Sequence, residues 1–218
     1  MIQHHPDDDL LLAHAAGSLS GGTALVVASH VEACAYCRSR IKVFDAVGGA
    51  LLDALPSAVL EPSAFAQTLA GLDTPRPPPV ARVHAKGLRP DLPRGLEWPR
   101  ALLGCSATRW YWLGPGMRWS RVTLPHDPAA NVFLLRIGAG KQLPMHTHSE
   151  CELTQVLYGA FDDGRAVFGS GDFDAADGDV VHQPVVQAGG ECICLASVQG
   201  RVLFQGALAR TLGALVGM

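Results

Sequence analysis

A proline-rich stretch near the middle of the 218-residue chain divides it into two parts of different character. Residues 74–99 hold seven of the fifteen prolines, including the run Pro77-Pro78-Pro79. Proline lacks a backbone N–H and has a fixed φ, so this density excludes both a helix and a paired strand. We therefore predict two domains, residues 1–73 and 100–218, joined by a semi-extended Pro/Arg-rich linker over residues 74–99.

The charge distribution excludes several classes of protein. Net charge is −3, with −5 on residues 1–73 and +2 on the remainder, so the chain is not a globally basic nucleic-acid binder. No apolar run approaches the roughly 20 residues that span a bilayer, and the acidic first residues do not resemble a signal peptide. We expect a cytoplasmic protein with no direct contact to nucleic acid or membrane.

The first part carries helical patterns. Apolar residues recur with helical spacing in four segments, which begin near Asp7, Ser20, Cys34 and Pro62. Each segment is short, and short helices are marginally stable unless packing or a staple holds them. We predict a small helical bundle.

The second part carries strand patterns. Short apolar runs are separated by Gly- and Asp-rich turn signals, which predicts an all-β jelly-roll barrel or sandwich. The predicted strands are residues 132–137, 152–158, 180–182, 193–198 and 202–205. The predicted fold class is therefore multidomain α + β.

His30, Cys34 and Cys37 form the pattern H-x3-C-x2-C. Their spacing puts all three side chains on one side, where two helices meet. A structural zinc ion takes four tetrahedral nitrogen or sulfur ligands, so one further ligand is needed, and His4, His5 and His14 are the candidates. The alternative is a surface histidine beside two buried, packing cysteines.

A second cluster begins with the pattern Gly140-x5-His146-x-His148-x3-Glu152-x6-Gly159. Residues 146, 148 and 152 share parity, so an extended chain points them to one face. His182 lies on a run that can pair beside them and complete a His3Glu set. Such a set suits Zn²⁺, Mn, Fe or Ni. The alternative is polar residues on a solvated strand face.

Cys192 and Cys194 lie on one face of a predicted strand. Two interpretations stay open for them. Either they are buried packing residues, or they form a redox-sensitive pair near the second cluster.

These motifs carry a resemblance to a known family. The H-x3-C-x2-C element in an acidic helical domain, with His4-His5, the segment at residues 11–19 and Phe44-Asp45-Ala46-Val47-Gly48-Gly49, resembles ChrR-type zinc-binding anti-sigma factors. The resemblance implies that His5 is the fourth zinc ligand. It also implies that the helical domain binds an extracytoplasmic-function sigma factor in a 1:1 complex and blocks its access to RNA polymerase.

The second cluster resembles the first cupin motif without departure. The second cupin motif is degraded: Gly171 and His182 stand in their slots, whereas Asp177, Asp179 and Val186 replace the usual Pro, Gly and Asn. The ChrR resemblance implies a cupin-like domain with metal on His146, His148, Glu152 and His182. It also implies release of the sigma factor after a reactive-oxygen signal, such as singlet oxygen or peroxide.

Two other functions compete with this one. A cupin metal-dependent oxygenase with an accessory zinc module is the main alternative, and a cupin serving as a dimerisation platform is a third. Glu150 is the only acidic residue of the motif that is not a predicted metal ligand, and no other general base or nucleophile lies nearby in the sequence. This absence favours a protein that is not an enzyme. A tight partner of sigma-factor size would support the first function, and turnover of a small oxidisable substrate would support the second.

Overall fold

The structure, a computed structural model, describes residues 1–72 and 89–205. Most of the predicted linker and residues 206–218 lie outside the described residues. The helices are α1 (Asp8–Ala15), α2 (Gly21–Ala33), α3 (Ala35–Asp53) and α4 (Ala64–Leu72), followed by a 3₁₀ turn, Arg100–Leu102. The strands are β1 (Ser106–Ala107), β2 (Tyr111–Gly114), β3 (Met117–Thr123), β4 (Val132–Ile137), β5 (His146–His148), β6 (Cys151–Tyr158), β7 (Ala160–Asp162), β8 (Val167–Gly169), β9 (Phe173–Asp177), β10 (Val185–Val186), β11 (Cys192–Val198) and β12 (Val202–Phe204).

The four predicted helices are confirmed, and local chemistry sets their ends. The Asp7 side chain caps α1 by accepting a hydrogen bond from the Leu10 N–H at 2.8 Å. Gly17 follows that helix with φ +67°, a left-handed conformation that glycine adopts without strain. Cys34 ends α2 and caps α3, so the cysteine motif lies at the junction of two helices.

The barrel is built on a seven-stranded antiparallel sheet. Its strand order is β1-β3-β4-β11-β6-β9, with β2 added beside β3. Two smaller sheets, β10-β7-β8 and β12-β5, complete it. Strand β9 is therefore an edge strand of the large sheet. The all-β, cupin-like architecture that we predicted for the second part is confirmed.

The predicted strand at residues 180–182 is wrong. Only His182 pairs, through a two-way hydrogen bond at 3.0 Å between its backbone and that of His146. The preceding residues instead form a turn, because Asp177 accepts hydrogen bonds from the backbone N–H groups of Asp179 and Val180. This turn aims His182 into the barrel without a strand.

One continuous core joins the helices to the barrel. Helix α2 is buried along most of its length and packs against the outer face of the large sheet, where Val26 and Val27 meet strand residues such as Leu153 and Leu195. Gly22 permits this approach, since a Cβ there would lie 2.6 Å from Ser197 Oγ. The interior of the barrel forms a second core, around Phe133, Val156 and Phe161. Among the described residues, no helix is both long and apolar enough to cross a bilayer.

Candidate metal centres

The first group of candidate ligands forms where residues 1–7, here called the N-terminal segment, cross the α2–α3 junction. The ligand atoms of His5, His30, Cys34 and Cys37 all lie within 4.8 Å of one another. His30 Nε2 is 3.2 Å from Cys37 Sγ, and His5 Nδ1 is 3.4 Å and 3.5 Å from the sulfurs of Cys34 and Cys37. Around a tetrahedral zinc ion, nitrogen and sulfur ligands stand about 3.4–3.8 Å apart. The spacing of this group fits that geometry.

A hydrogen bond to the barrel determines which ring nitrogen of His30 carries the proton. Its Nδ1 donates a hydrogen bond to the carbonyl oxygen of Gly171 at 2.9 Å, which leaves the Nε2 lone pair facing the cysteines. A backbone carbonyl on the far nitrogen is the usual way of orienting a metal-binding imidazole. Burial lowers the pKa of His30 to about 4, so the ring is neutral at pH 7.

The buried Cys37 thiol needs a nearby cation to ionise at neutral pH. Burial, together with the neighbouring Cys34, raises the pKa of Cys37 to about 12. A divalent metal reverses this preference, because it binds the thiolate and releases the proton. The donor set of two sulfurs and two imidazoles is one that Zn²⁺ uses in structural sites.

The second group lies inside the barrel. His146 and His148 come from β5, Glu152 from β6, and His182 from the turn that pairs with His146. Their ligand atoms lie within 4.8 Å of one another, and all four side chains are buried. The Nε2 atoms of His146 and His182 are 3.1 Å apart, and His148 Nε2 is 2.8 Å from Glu152 Oε2.

Hydrogen bonding within the second group is incomplete. Both ring nitrogens of His148 are buried without a hydrogen-bond partner among the described residues, despite the nearby carboxylate. His146 Nδ1 is bonded to the Pro144 carbonyl at 2.7 Å, so its Nε2 is free to bind an ion. Adjacent ligands of a six-coordinate divalent ion with bonds of about 2.1 Å stand about 3 Å apart. The group fits a divalent metal.

The charge state of the second group also suits a cation. Burial alone would raise the pKa of Glu152, but the imidazoles of His146 and His148 hold it below the usual range. Burial lowers the pKa of His182 to about 4, and the adjacent His146 contributes in the same direction. At pH 7 the group therefore contains an ionised Glu152 carboxylate and a neutral His182 ring.

An ion-pair cluster of two buried aspartates and the exposed Arg165 lies behind His182, and no sequence motif predicted it. Arg165 binds Asp163 and also reaches Asp174 at 2.8 Å. Asp163 Oδ2 is 3.7 Å from His182 Nδ1. Burial raises the pKa of Asp174 to about 6, although Arg165 opposes the shift. The sequence contains one weak indication of this cluster, an aspartate between apolar residues in the run Phe173-Asp174-Ala175-Ala176.

Cys192 and Cys194 lie beside the second group. Their sulfurs are buried and 3.6 Å apart, and both line a small, partly open cavity together with His146, Glu152 and His182. The cavity has about 30 Å³ for water-sized molecules, room for about one or two waters, and most of its remaining wall is apolar. A side-chain hydrogen bond with Cys192 and burial raise the pKa of Cys194 well above its usual value, so this thiol is protonated at pH 7.

Comparisons with known proteins agree with this arrangement. Residues 99–200 match the ChrR cupin-like domain family. The chain is 38% identical to anti-sigma-E factor ChrR of Cereibacter sphaeroides over 214 residues, 96% of this chain and 95% of that protein. The chain belongs to the ChrR anti-sigma factor family. The crystal structure of Rhodobacter sphaeroides SigE in complex with the anti-sigma ChrR matches with a TM-score of 0.71 and 36% identity, covering 91% of this chain and all of that one.

The predicted ligands of this ChrR-family chain assemble in two groups of four. Of the three candidates for the fourth N-terminal ligand, only His5 joins its group. His4 instead packs its ring on Phe168, with centroids 4.6 Å apart, and His14 lies in the last turn of α1. That the two groups bind metal, and which metal each prefers, stay predictions.

Proposed function

We propose that this chain is an anti-sigma factor that binds an extracytoplasmic-function sigma factor in a 1:1 complex through its helical part. The observation that carries the proposal is the apolar surface of α3 and α4. Leu51, Leu52 and Phe65 are 65%, 68% and 75% exposed, and none of the α4 side chains is buried. Isolated exposed apolar residues are ordinary, but large apolar residues exposed along two successive helices mark a protein-binding surface.

The sigma factor is the partner that fits this surface best. The solved ChrR relative was crystallised with SigE, and its similarity extends over 91% of this chain, including the helices. The proposal assigns residues 1–73 to sigma binding, residues 74–99 to the linker and residues 100–218 to the cupin-like domain. We infer a cytoplasmic protein with no direct role for nucleic acid or membrane.

The N-terminal metal group would set the shape of this surface. Zn²⁺ on His5, His30, Cys34 and Cys37 would fix α3, whose only fully buried residue is Cys37, to α2 and to the N-terminal segment. A site of this kind supplies on the order of 10 kcal/mol toward folding. The exposed apolar residues of α3 would then be held in one orientation for the partner.

The barrel would act as the sensor. His146, His148, Glu152 and His182 would hold Zn²⁺ or another divalent metal such as Mn, Fe or Ni, which would supply a Lewis acid next to the cavity. Cys192 and Cys194 form the candidate redox pair. One thiol would attack a peroxide and become a sulfenic acid while the peroxide leaves as alcohol or water. The second thiol would then displace water to form a disulfide. The sulfurs are 3.6 Å apart, and because residues i and i+2 of one strand are near the upper Cα separation that a disulfide spans, the bond would strain the strand.

Co-purification tests the sigma-binding proposal. We expect the full chain to form a 1:1 complex with a co-expressed sigma factor, and the double variant Cys34→Ser, Cys37→Ser to lose it. Cys105→Ser is the matched control, because Cys105 is also buried but lies outside both metal groups. Retained binding by the double variant, with zinc absent from it, would refute the role of the metal group.

A metal-dependent oxygenase is the second candidate, and the cavity beside Glu152 favours it because a reacting molecule could reach the metal there. Small oxidisable substrates, supplied to the full metal-loaded chain, test it. Turnover that disappears in Glu152→Gln and persists in Glu150→Gln would support an enzyme. We expect no turnover.

A further inference from the structure

One turn of the barrel contacts the N-terminal metal group from outside. Residues 169–173, which connect β8 to β9 and are here called the 169–173 turn, lie against both the N-terminal segment and α2. These contacts join residues separated by about 140 to 170 positions in the chain. None of the turn residues belongs to either group of candidate ligands.

The turn fixes the segment that carries His5. Asp172 is 5% exposed, and its Oδ1 accepts hydrogen bonds from the backbone N–H groups of Gln3 at 2.6 Å and His4 at 3.0 Å. In return, the Phe173 N–H donates to the His4 carbonyl at 3.1 Å. Because β9 is an edge strand, its free backbone groups are available for this pairing. His5 is the next residue along the chain, so the turn positions it.

The turn also orients His30. The Gly171 carbonyl accepts the Nδ1–H of this buried ring, which selects the tautomer whose Nε2 faces Cys37. Gly171 has φ +92°, and a Cβ there would lie 2.7 Å from two side-chain atoms of Ile2. Only glycine therefore allows the close approach of the N-terminal segment and the exposed carbonyl at the same position.

We propose that the 169–173 turn is the outer coordination sphere of the N-terminal metal group, so that the barrel sets the metal affinity of the helical part. Outer-sphere partners fix the orientation and tautomer of ligating imidazoles, and removing one typically costs 10–100-fold in metal affinity. Two of the four ligands, His5 and His30, depend on this turn. The inference rests on the proposed metal binding at that group, but not on the identity of the protein partner.

The same strand reaches the second metal group. Asp174 follows the turn by one residue, and Arg165 binds both Asp174 and Asp163, the latter lying 3.7 Å from His182 Nδ1. A change at His182 can thus shift this cluster and, through β9, the turn. A metal on the second group would hold His182, this cluster and the turn in place, which favours binding at the first group; because coupling between two binding sites is reciprocal, the first metal then strengthens binding at the second by the same factor.

Titration of the full chain with Co²⁺ tests the proposal at the N-terminal group alone. Cobalt–thiolate charge transfer gives a near-ultraviolet band that the His3Glu group cannot produce, so the band reports only the group with cysteines. Gln3→Pro removes the Gln3 N–H without altering the barrel, and Gln3→Ala keeps it as the matched control. Asp172→Ala removes the acceptor, with Asp162→Ala as its control, since Asp162 accepts a similar turn hydrogen bond from Gly164 rather than from the segment.

We expect Gln3→Pro and Asp172→Ala to weaken Co²⁺ binding at the thiolate band by about tenfold or more, and both controls to stay within about twofold. An unchanged affinity in Gln3→Pro, whose substitution lies outside the barrel, would overturn the outer-sphere role. Absence of the band in the wild-type chain would instead overturn the proposed metal site, and the inference with it.

A double-variant cycle tests the coupling. We expect His182→Ala to weaken cobalt binding at the thiolate band by about fivefold or more, and Gln183→Ala to leave it unchanged. In the Gln3→Pro background the effect of His182→Ala should shrink, because the connection through the segment is already broken. Equal effects in both backgrounds would contradict transmission through the turn.

Discussion

Gln155 Nε2 donates a hydrogen bond to the carbonyl oxygen of Ser29 across 3.2 Å, which joins β6 of the barrel to α2. Gln155 is 2% exposed, and Ser29 directly precedes His30 in the chain. We expect Gln155→Met to lower the free energy of unfolding by about 1 kcal/mol, the net value of one such bond. Urea denaturation measures this, and the exposed Gln187 provides the control Gln187→Met. Equal losses in the two variants would contradict a specific role for the bond.

The two adjacent N-terminal histidines should differ sharply in metal binding. His5 lies within the first group, whereas the ring of His4 packs on Phe168 and contributes to the turn only through its backbone. We expect His5→Ala to lose the metal of the first group and His4→Ala to retain it, measured as metal content per chain after purification. Loss of metal in both variants would show that the histidine pair acts through the segment as a whole.

The two glutamates of the cupin motif provide a similar comparison. Glu152 is buried among three histidines, whereas Glu150 is exposed. We expect Glu152→Gln to lower the metal affinity of the second group by more than tenfold, because it removes the only negative ligand from a buried site. Glu150→Gln should leave the affinity unchanged in chelator competition. A similar loss of metal affinity in both variants would contradict a direct role for Glu152 as a metal ligand.

The partial burial of His14 predicts that the free energy of unfolding depends on pH, independently of the two metal groups. Burial lowers its pKa below 6.5 in the folded protein, and Asp45 opposes this only in part. As pH falls through 6.5, the unfolded chain takes up a proton before the folded one does, so stability is lost. Relative to His14→Gln, the wild-type chain should lose stability between about pH 7.5 and 5.5. The exposed His126 supplies the control His126→Gln, which should behave as wild type in this comparison.

The helices and the ligand positions could be predicted from sequence because short-range chemistry determines them. The cap at Asp7, the helical spacing of His30, Cys34 and Cys37, and the alternation of His146, His148 and Glu152 all act within a few residues. Selecting His5 over His4 needed the family resemblance, since the spacing alone allowed either.

The joining of the two parts could not be predicted in the same way. The N-terminal segment is held by backbone N–H and carbonyl groups of Gln3, His4 and Phe173, and every residue type except proline offers the same N–H. Likewise, the apolar residues at 180–182 predicted a strand, but these residues form a turn. The turn depends on hydrogen bonds from the backbone N–H groups of Asp179 and Val180 to Asp177, which the apolar pattern does not indicate.

The large sequence separation between the 169–173 turn and the ligands that it holds has a consequence for biosynthesis. The ribosome makes all four ligands of the N-terminal group within the first 37 residues. Yet the carbonyl that orients His30 and the carboxylate that holds the His5 segment leave the ribosome only after residue 172. At about 5–20 residues per second, that interval lasts roughly seven to twenty-seven seconds. A nascent chain therefore carries exposed cysteines long before their site is complete, which makes the growing polypeptide more open to oxidation and to metal exchange than the finished protein.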